Sequence, residues 1–303
     1  MSLEASQAIY REATELLKRA QEFNRKIDIG VKEATWQPIP DYPDLPIAIL
    51  HATDIHYGST HVDYDLLDKH LTVVEDTPNF YMLTNGDHVD NFNVIGKWAS
   101  AVYENPLPPQ LQTMALIERV KGIDAKKKLA VMSFGNHDNF IDASGYDWFN
   151  TFARGLNAPV FTSGGFLHAL VGSQWYGIAL THEYWGKSKI NPTNAAKRFW
   201  EYEYPQADIV LLGHTHQSEV LHWERGGKDR IASIGGTFKL SDNWARKKGI
   251  GGRGGEPGHC MILWPDQRKM FATKDIDVAQ QFILSKIFEK EQHGSGEIYQ
   301  RKA

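Results

Sequence analysis

The chain has 303 residues, and its 33 Lys and Arg against 37 Asp and Glu give a formal net charge of −4. That balance argues against a strong non-specific hold on nucleic acid, although a local basic patch stays open. The single cysteine, Cys260, excludes an intrachain disulfide and a metal site built from several thiolates. No signal peptide and no apolar run of bilayer length are visible, so we expect a soluble, cytoplasmic protein that makes no membrane contact.

The first 29 residues predict a charged amphipathic helix. Apolar residues recur there at three- and four-residue steps, namely Ala8, Ile9, Ala13, Leu16, Leu17, Ala20 and Phe23. This stripe favours a helix packed on the main domain, and less strongly an oligomer or partner contact. Four prolines between residues 38 and 46 then indicate an extended linker. We therefore divide the chain into an N-terminal helix and Pro-rich linker (1–45), a main domain (46–275), and a C-terminal helix with a polar tail (276–303).

The main domain alternates between predicted strands and helices. Short apolar runs predict strands over residues 47–51, 80–83, 129–134, 176–180 and 208–212, with helices around 66–74, 111–120 and 194–202. The weaker stretch 138–173 indicates a helix near Trp148–Phe152 and a strand over 166–171. Two β hairpins follow, formed by residues 219–223, 230–234, 260–264 and 269–273, with a Gly-rich basic segment (246–258) between them. This order predicts an α/β fold with stacked sheet layers.

Five of these strands end in side chains that can bind metals. The candidates, in chain order, are Asp54, His56, Asp87, Asn136, His182, His214 and His216. Any one of these groups could be an ordinary turn, since Asp, Asn and Gly favour turns for conformational reasons. Their joint occurrence after five strands instead indicates a metal site. Oxygen and imidazole donors without sulfur suit Mn²⁺, Fe, Zn²⁺ or Ni²⁺, and seven ligands suit two ions that share a carboxylate.

At this point the chain resembles the calcineurin-like metallophosphoesterases. The motifs that carry the resemblance are D-x-H at Asp54, G-D-x-x-D at Gly86–Asp90, G-N-H-D at Gly135–Asp138, His182, and G-H-x-H at Gly213–His216. They occur in the family's order across about residues 47 to 217. The resemblance implies a layered β-sandwich flanked by helices (αββα), to which this chain adds an N-terminal helical extension.

Roles for individual residues follow from the same resemblance. It implies that Asp54, His56 and His216 hold one divalent ion, that Asn136, His182 and His214 hold the other, and that Asp87 bridges them. A hydroxide between the ions would be the nucleophile, with Mn²⁺ the favoured metal.

The same resemblance implies that His137 is the catalytic group at the leaving oxygen and that Asp138 orients the His137 ring. Asp138 could equally be a plain turn carboxylate. Asp90 is interpreted as a loop-fixing residue, while His88 is a weaker candidate for substrate contact. Tyr184 and Trp185 follow His182 closely and could line a pocket.

The type of phosphoester is predicted from what the motifs lack. The protein serine/threonine phosphatases of this superfamily place arginines beside the second and third motifs, whereas this chain has none there. Bidentate Arg is the strongest side-chain grip on a dianionic monoester, so its absence favours diesters. The motifs look most like the phosphodiesterase and SbcCD-type nuclease branch.

We therefore expect hydrolysis of phosphodiester bonds of nucleic acid or nucleotides. DNA or RNA would be gripped by the basic segment, unless that segment is only a solvated connector. The alternatives are a broad phosphomonoesterase and a non-catalytic scaffold on the same fold that recruits partners through the N-terminal helix.

Overall fold

The computed structural model describes residues 13–15, 18, 32–91, 103–138, 151, 155–188, 190–240 and 255–300, with side chains to residue 292. The predicted N-terminal helix falls almost wholly outside these residues, although 13–15 and 18 are helical. The predicted helix near Trp148–Phe152, apart from the helical residue 151, and most of the basic segment 246–258 also lie outside them.

Two six-stranded sheets form the centre of the fold. Sheet I has the strand order β1-β6-β7-β8-β10-β9, formed by β1 (Glu33–Trp36), β6 (Gly165–Val171), β7 (Gln174–Leu180), β8 (Ile209–Leu212), β9 (Glu219–Arg225) and β10 (Lys228–Ile234). Sheet II has the order β12-β11-β2-β3-β4-β5, formed by β2 (Ile47–Ala52), β3 (Phe80–Asn85), β4 (Leu129–Ser133), β5 (Val160–Phe161), β11 (Gly258–Leu263) and β12 (Met270–Thr273).

Helices cover the outer faces of both sheets. Helices α1 (Tyr64–Asp76), α2 (Pro109–Ala125) and α4 (Ile276–Gln300) pack on sheet II, whereas α3 (Asn194–Tyr202) packs on sheet I. A third apolar cluster fills the space between the sheets, where strand residues such as Ile49, Leu83 and Ile178 are fully or almost fully buried. Strands covered on both faces explain the continuous apolar runs of the sequence. The expected αββα layering is confirmed.

Two strands had no clear signal in the sequence. β1 has only four residues, lies in the segment read as linker, and pairs in parallel with β6 at the edge of sheet I. β5 has two residues and extends the edge of sheet II beyond β4. Runs this short show no periodicity, and only tertiary pairing defines them. No helix in the described part of the chain is both long and apolar enough to cross a lipid bilayer.

The topology brings five strand ends to one edge of the layers. β2, β3 and β4 are parallel neighbours in sheet II, while β7 and β8 are parallel neighbours in sheet I. Parallel neighbours present their carboxyl ends on the same side, which is where open α/β sheets build ligand sites. The loops that leave these five strands therefore converge.

Candidate metal centre

The loops after β2 and β3 are joined through their backbones. The amide of Asp54 donates to the carbonyl of Gly86 at 3.1 Å, and the amide of His56 donates to the carbonyl of Asp87 at 2.9 Å. The carboxylates are also held by the chain. Asp54 accepts from the amide of His214 at 2.9 Å, and Asp87 accepts from the amide of His137 at 2.9 Å. Each loop thus positions an acidic side chain of another.

Five of the seven predicted ligands have a left-handed backbone. The φ angles are 50° for Asp54, 51° for His56, 50° for Asp87, 67° for His214 and 56° for His216. A positive φ is uncommon for residues other than glycine, and Asp, Asn and His are among those that tolerate it best. Residues held in this region cost of order 1–3 kcal/mol each and persist only where the surrounding structure imposes them. These sharp turns direct the side chains of neighbouring ligands, such as Asp54 and His56, toward the same space.

One group of donors comprises Asp54, His56 and His216. Nε2 of His216 lies 3.1 Å from Asp54 Oδ1 and 3.2 Å from Nε2 of His56. Nε2 of His56 is also 4.0 Å from Asp54 Oδ1. Two imidazole nitrogens and a carboxylate oxygen that face one another at these separations surround a space of the size that one divalent ion requires.

A second group comprises Asp87, His182 and His214, with Asn136 beside it. Nε2 of His182 lies 3.1 Å from Asp87 Oδ2, and Nδ1 of His214 lies 2.7 Å from Asn136 Oδ1. Asp87 Oδ2 is in addition 3.9 Å from Nε2 of His56, in the first group. Asp87 therefore stands between the two groups, as a bridging carboxylate must.

The ring orientations are set by neighbours that are not ligands. Nδ1 of His182 donates to the backbone carbonyl of Asn85 at 2.8 Å, which directs Nε2 toward the two aspartates. Nδ1 of His56 lies 3.0 Å from Oδ1 of Asp90, whose carboxylate also contacts Lys239 and Asn105. Such contacts fix the tautomer and strengthen the imidazole as a ligand. The loop-fixing interpretation of Asp90 agrees with this geometry.

Two glycines leave room for the ligands. A Cβ atom on Gly135 would lie 2.3 Å from Asp87 Oδ1, and one on Gly213 would lie 2.1 Å from Thr53 Oγ1 and 2.6 Å from Asp54 Oδ2. Separations this short cannot be accommodated without displacing the carboxylates. Taken alone, Gly135 and Gly213 could be ordinary turn residues. Their contacts show that they are required instead because a side chain at either position would collide with an aspartate.

Burial and charge act against each other in this cluster. Burial opposes ionisation of Asp54, but the nearby His182 and His216 outweigh it and lower the pKa of Asp54 to about 2. The pKa of Asp87 is likewise lowered, because His182 and His137 outweigh its burial. Burial disfavours the charged form of His182 too, yet Asp87 and Asp54 raise its pKa to about 10. Burial lowers the pKa of His56 to about 4 and also lowers that of His214.

His137 lies at the mouth of this cluster. Its ring centroid is 4.7 Å from that of His56, and a ring nitrogen lies within 4.8 Å of ligand atoms of His56 and Asp87. Nδ1 of His137 is 2.6 Å from the backbone carbonyl of Asp90. A carbonyl can only accept, so Nδ1 carries a proton and any proton transfer would occur at Nε2.

The role expected for Asp138 needs correction. Asp138 was expected to orient the ring of His137, but Nδ1 of that ring contacts the backbone carbonyl of Asp90 instead. The fully buried carboxylate of Asp138 instead contacts Nδ1 of His88 at 2.9 Å and accepts from the amides of His88 and Gly135. Asp138 thereby ties the loop after β4 to the loop after β3. A carboxylate next to His137 in sequence is turned away from it by the turn at residues 135–138.

Sequence reasoning also missed Lys239 as part of the site. Lys239 follows β10, which pairs in parallel with β8, and its ammonium lies 2.8 Å from Oδ1 of Asp90. β10 is a sixth strand that ends at the same edge. The residues that follow it, Gly235-Gly236-Thr237, could have indicated from the sequence that this loop belongs to the site. Thr237 bonds to the carbonyl of Asp54, which places the loop after β10 against the first donor group.

The donor set fits two divalent ions. Nε2 of His182 is buried, lies 3.1 Å from Oδ2 of Asp87 and makes no hydrogen bond of good geometry, so it faces the space between the donor side chains. Oxygen and imidazole donors without sulfur suit first-row transition ions. The structure thus brings all seven predicted ligands and His137 together.

Comparison with known proteins agrees with this geometry. The family model "Calcineurin-like phosphoesterase" matches residues 47–218, more than half of the chain. No curated protein sequence matches.

Several solved structures are similar at low identity. A Staphylococcus aureus protein described provisionally as a 5′-nucleotidase is 15% identical with a TM-score of 0.46, over 75% of this chain and 53% of the other. The present chain thus spans about half the length of that protein. A phosphoesterase-like protein of Streptococcus pneumoniae is 15% identical with a TM-score of 0.35, over 75% and 98%. Zinc-bound Vps29 of Entamoeba histolytica is 13% identical with a TM-score of 0.34, over 75% and 97%.

Proposed function

The chain belongs to the calcineurin-like phosphoesterase family, and on that premise we propose that it is a binuclear-metal phosphodiesterase acting on nucleotides or nucleic acid. The observation that carries the proposal is the convergence of seven donor side chains from five strand ends, with His137 beside them. A fold alone would not support a reaction, because function depends on the site that the fold presents.

Residue roles follow from the two donor groups. Asp54, His56 and His216 would hold one ion, Asn136, His182 and His214 the other, and Asp87 would contribute to both. Bound divalent ions supply charge for the reacting phosphoryl oxygens and lower the pKa of a water molecule, with Mn²⁺ the favoured metal. The protein orients the substrate phosphorus against these groups, and His137 delivers a proton from Nε2 to the leaving oxygen.

Preference for a diester rests on charge and on the missing arginines. A diester carries one negative charge and a monoester up to two, and Arg is the strongest side-chain partner of a dianion. Of the residues that follow Asp87 and Asn136 in these motifs, His88 and Asp138 contact each other at 2.9 Å and are both fully buried. Their contact holds two loops together, so neither side chain offers a positive charge to the substrate.

Hydrolysis of three substrates tests the proposal. Bis-p-nitrophenyl phosphate, p-nitrophenyl phosphate and a short single-stranded DNA are incubated with protein and Mn²⁺, and Asp87→Asn serves as the matched control. We expect a higher kcat/KM for the diester, cleavage of the DNA, and loss of both activities in Asp87→Asn. Preference for the monoester would refute the phosphodiesterase assignment. Absence of hydrolysis of all three substrates with metals bound would refute this assignment and favour either a narrow substrate or a scaffold.

A further inference from the structure

A group of exposed aromatic residues lies directly after a predicted metal ligand. Trp185 follows His182 by three residues and is 52% exposed. Its ring stacks with Tyr202 of α3, with centroids 5.6 Å apart and planes at 27°. The guanidinium carbon of Arg198 lies 4.4 Å from the centroid of Trp185. We call Trp185, Arg198 and Tyr202 the Trp185 platform.

The platform is held rigidly on α3. Gly186 has a φ of +90°, and a Cβ there would lie 2.7 Å from Cδ of Arg198, so the loop lies tightly against the helix. The carbonyl of Gly186 accepts from Nδ2 of Asn194 at 2.8 Å. On the other side of Trp185, the ring of Tyr184 packs 5.1 Å from that of Phe199. These contacts hold the loop against α3, while about half of the Trp185 side chain is exposed to solvent.

The platform is within one nucleotide's reach of the donor cluster. Three residues span at most about 11 Å, so the Cα atoms of Trp185 and His182 cannot be farther apart. A small cleft is lined by Glu183 and Tyr184, the two residues between His182 and Trp185 in the sequence, and by Lys187 and Thr215, among other residues. Oε1 of Glu183 lies 3.7 Å from Nε2 of His214, which places one wall of the cleft at the second donor group.

The chemistry of the platform fits a nucleobase. Every base offers a π face, and stacking of bases on aromatic side chains is tolerant of sequence. Arg198 adds a cation at the ring, and it forms no ion pair with a carboxylate within the described residues. A cationic aromatic surface suits an anionic substrate better than it suits a neutral apolar one.

We propose that the Trp185 platform stacks a base of the phosphoester substrate while the phosphorus lies at the donor cluster. This inference rests on the proposed function and narrows its substrate class to compounds that carry a nucleoside. It also gives α3, which contributes no metal ligand, a part in substrate selection.

Paired substrates with one leaving group test the platform. In the Mn²⁺-loaded enzyme, kcat/KM is measured for the p-nitrophenyl ester of thymidine 5′-phosphate and for methyl p-nitrophenyl phosphate. The variants are Trp185→Leu, which keeps apolar bulk without a π face, and Trp185→Phe, which restores a ring. Trp175→Ala is the matched control, since Trp175 is 51% exposed at the far end of β7. We expect Trp185→Leu to lower the thymidine-to-methyl ratio about 5- to 150-fold, the usual range for one stacked base. Trp185→Phe should recover most of the ratio.

A binding measurement separates this inference from the proposed function. Calorimetry of the Mn²⁺-loaded protein compares 5′-deoxythymidine 5′-phosphonate, whose P–C bond cannot be hydrolysed, with methylphosphonate. Tighter binding of the nucleoside phosphonate that is lost in Trp185→Leu supports the platform even if no ester is turned over. An unchanged ratio in Trp185→Leu, with equal binding of the two phosphonates, overturns the platform whether or not esters are hydrolysed.

Discussion

Asp90 contacts two histidines of the site through different atoms, so a substitution can remove one contact and keep the other. Its carboxylate lies 3.0 Å from Nδ1 of His56, whereas its backbone carbonyl lies 2.6 Å from Nδ1 of His137. Asp90→Asn changes the first contact and leaves the second in place. We therefore expect it to weaken the ion held by Asp54, His56 and His216 and to spare the orientation of His137.

The magnitude follows from burial and from the partners. Removing a residue that orients a metal-bound imidazole costs about 10- to 100-fold in metal affinity or activity. The side chain of Asp90 is 4% exposed and the side chain of Lys239, which it contacts, is 10% exposed. Removing one member of a buried ion pair costs about 3–5 kcal/mol, and we expect about 3 kcal/mol because the amide oxygen of Asn can still accept one bond from Lys239.

Two measurements and a second variant distinguish the loss of His56 orientation from the loss of the Asp90–Lys239 ion pair. Metal content after dialysis against a weak chelator reports the affinity of each ion, and urea unfolding reports stability. Lys239→Met in the Asp90→Asn background should restore part of the lost stability, since it removes the buried ammonium whose contact with the Asp90 carboxylate was lost, but it should not restore metal binding. Asp68→Asn, on the surface of α1 with a 60% exposed side chain, is the control and should change neither. If Asp90→Asn bound both ions as the parent does, or if Lys239→Met restored the lost ion, orientation of His56 would not be the function of Asp90.

Three further predictions concern the same site. His137→Ala should lower kcat by about 10²- to 10⁴-fold, and elemental analysis should find both ions still bound; loss of an ion would make His137 a ligand instead. Metal binding at neutral pH should release at least one proton, because His182 with its pKa raised to about 10 is protonated in the metal-free protein while His56 is neutral. Calorimetry in buffers of different ionisation enthalpy measures this release. The same raised pKa stabilises the metal-free fold below about pH 6.5, where both states are protonated, and that contribution is lost as the pH rises through about 10. Zero net proton release would show that His182 is already neutral. Gly213→Ala should abolish metal binding, because its Cβ would lie 2.6 Å from Asp54 Oδ2, whereas Gly122→Ala on α2 should stabilise the protein by about 0.5–1 kcal/mol, since only the movable tip of Glu75 is in its way. Equal metal content in the two glycine variants would contradict the packing argument.

Helices and strands could be predicted from the sequence where apolar residues recur in a regular pattern along one segment. The helix over residues 194–202 is observed with the predicted bounds, and the five apolar runs became strands that end at one edge. Periodicity reveals such elements, because burial on two faces leaves a continuous apolar run. Strand ends then predicted which polar side chains would meet.

What could not be predicted depended on contacts between distant segments. β1 has a strand's conformation only because β6 offers it an edge. Asp138 could be placed beside His137 from sequence, but its pairing with His88 depends on how two loops approach across sheet II. Likewise, nothing local to Trp185 indicates that α3 will hold it open to solvent. In each case the deciding partner lies far along the chain.

The left-handed turns at the ligand positions restrict which substitutions evolution can try. At Asp54 and Asp87 the same residue must supply a carboxylate and accept a φ near 50°. Asp satisfies both demands, whereas Glu keeps the carboxylate but tolerates that backbone poorly, and Gly tolerates the backbone but has no donor. The set of good ligands and the set of good left-handed residues overlap in Asp, Asn and His. Few residue types are therefore acceptable at these positions, because a substitution must preserve both the metal ligand and the left-handed backbone.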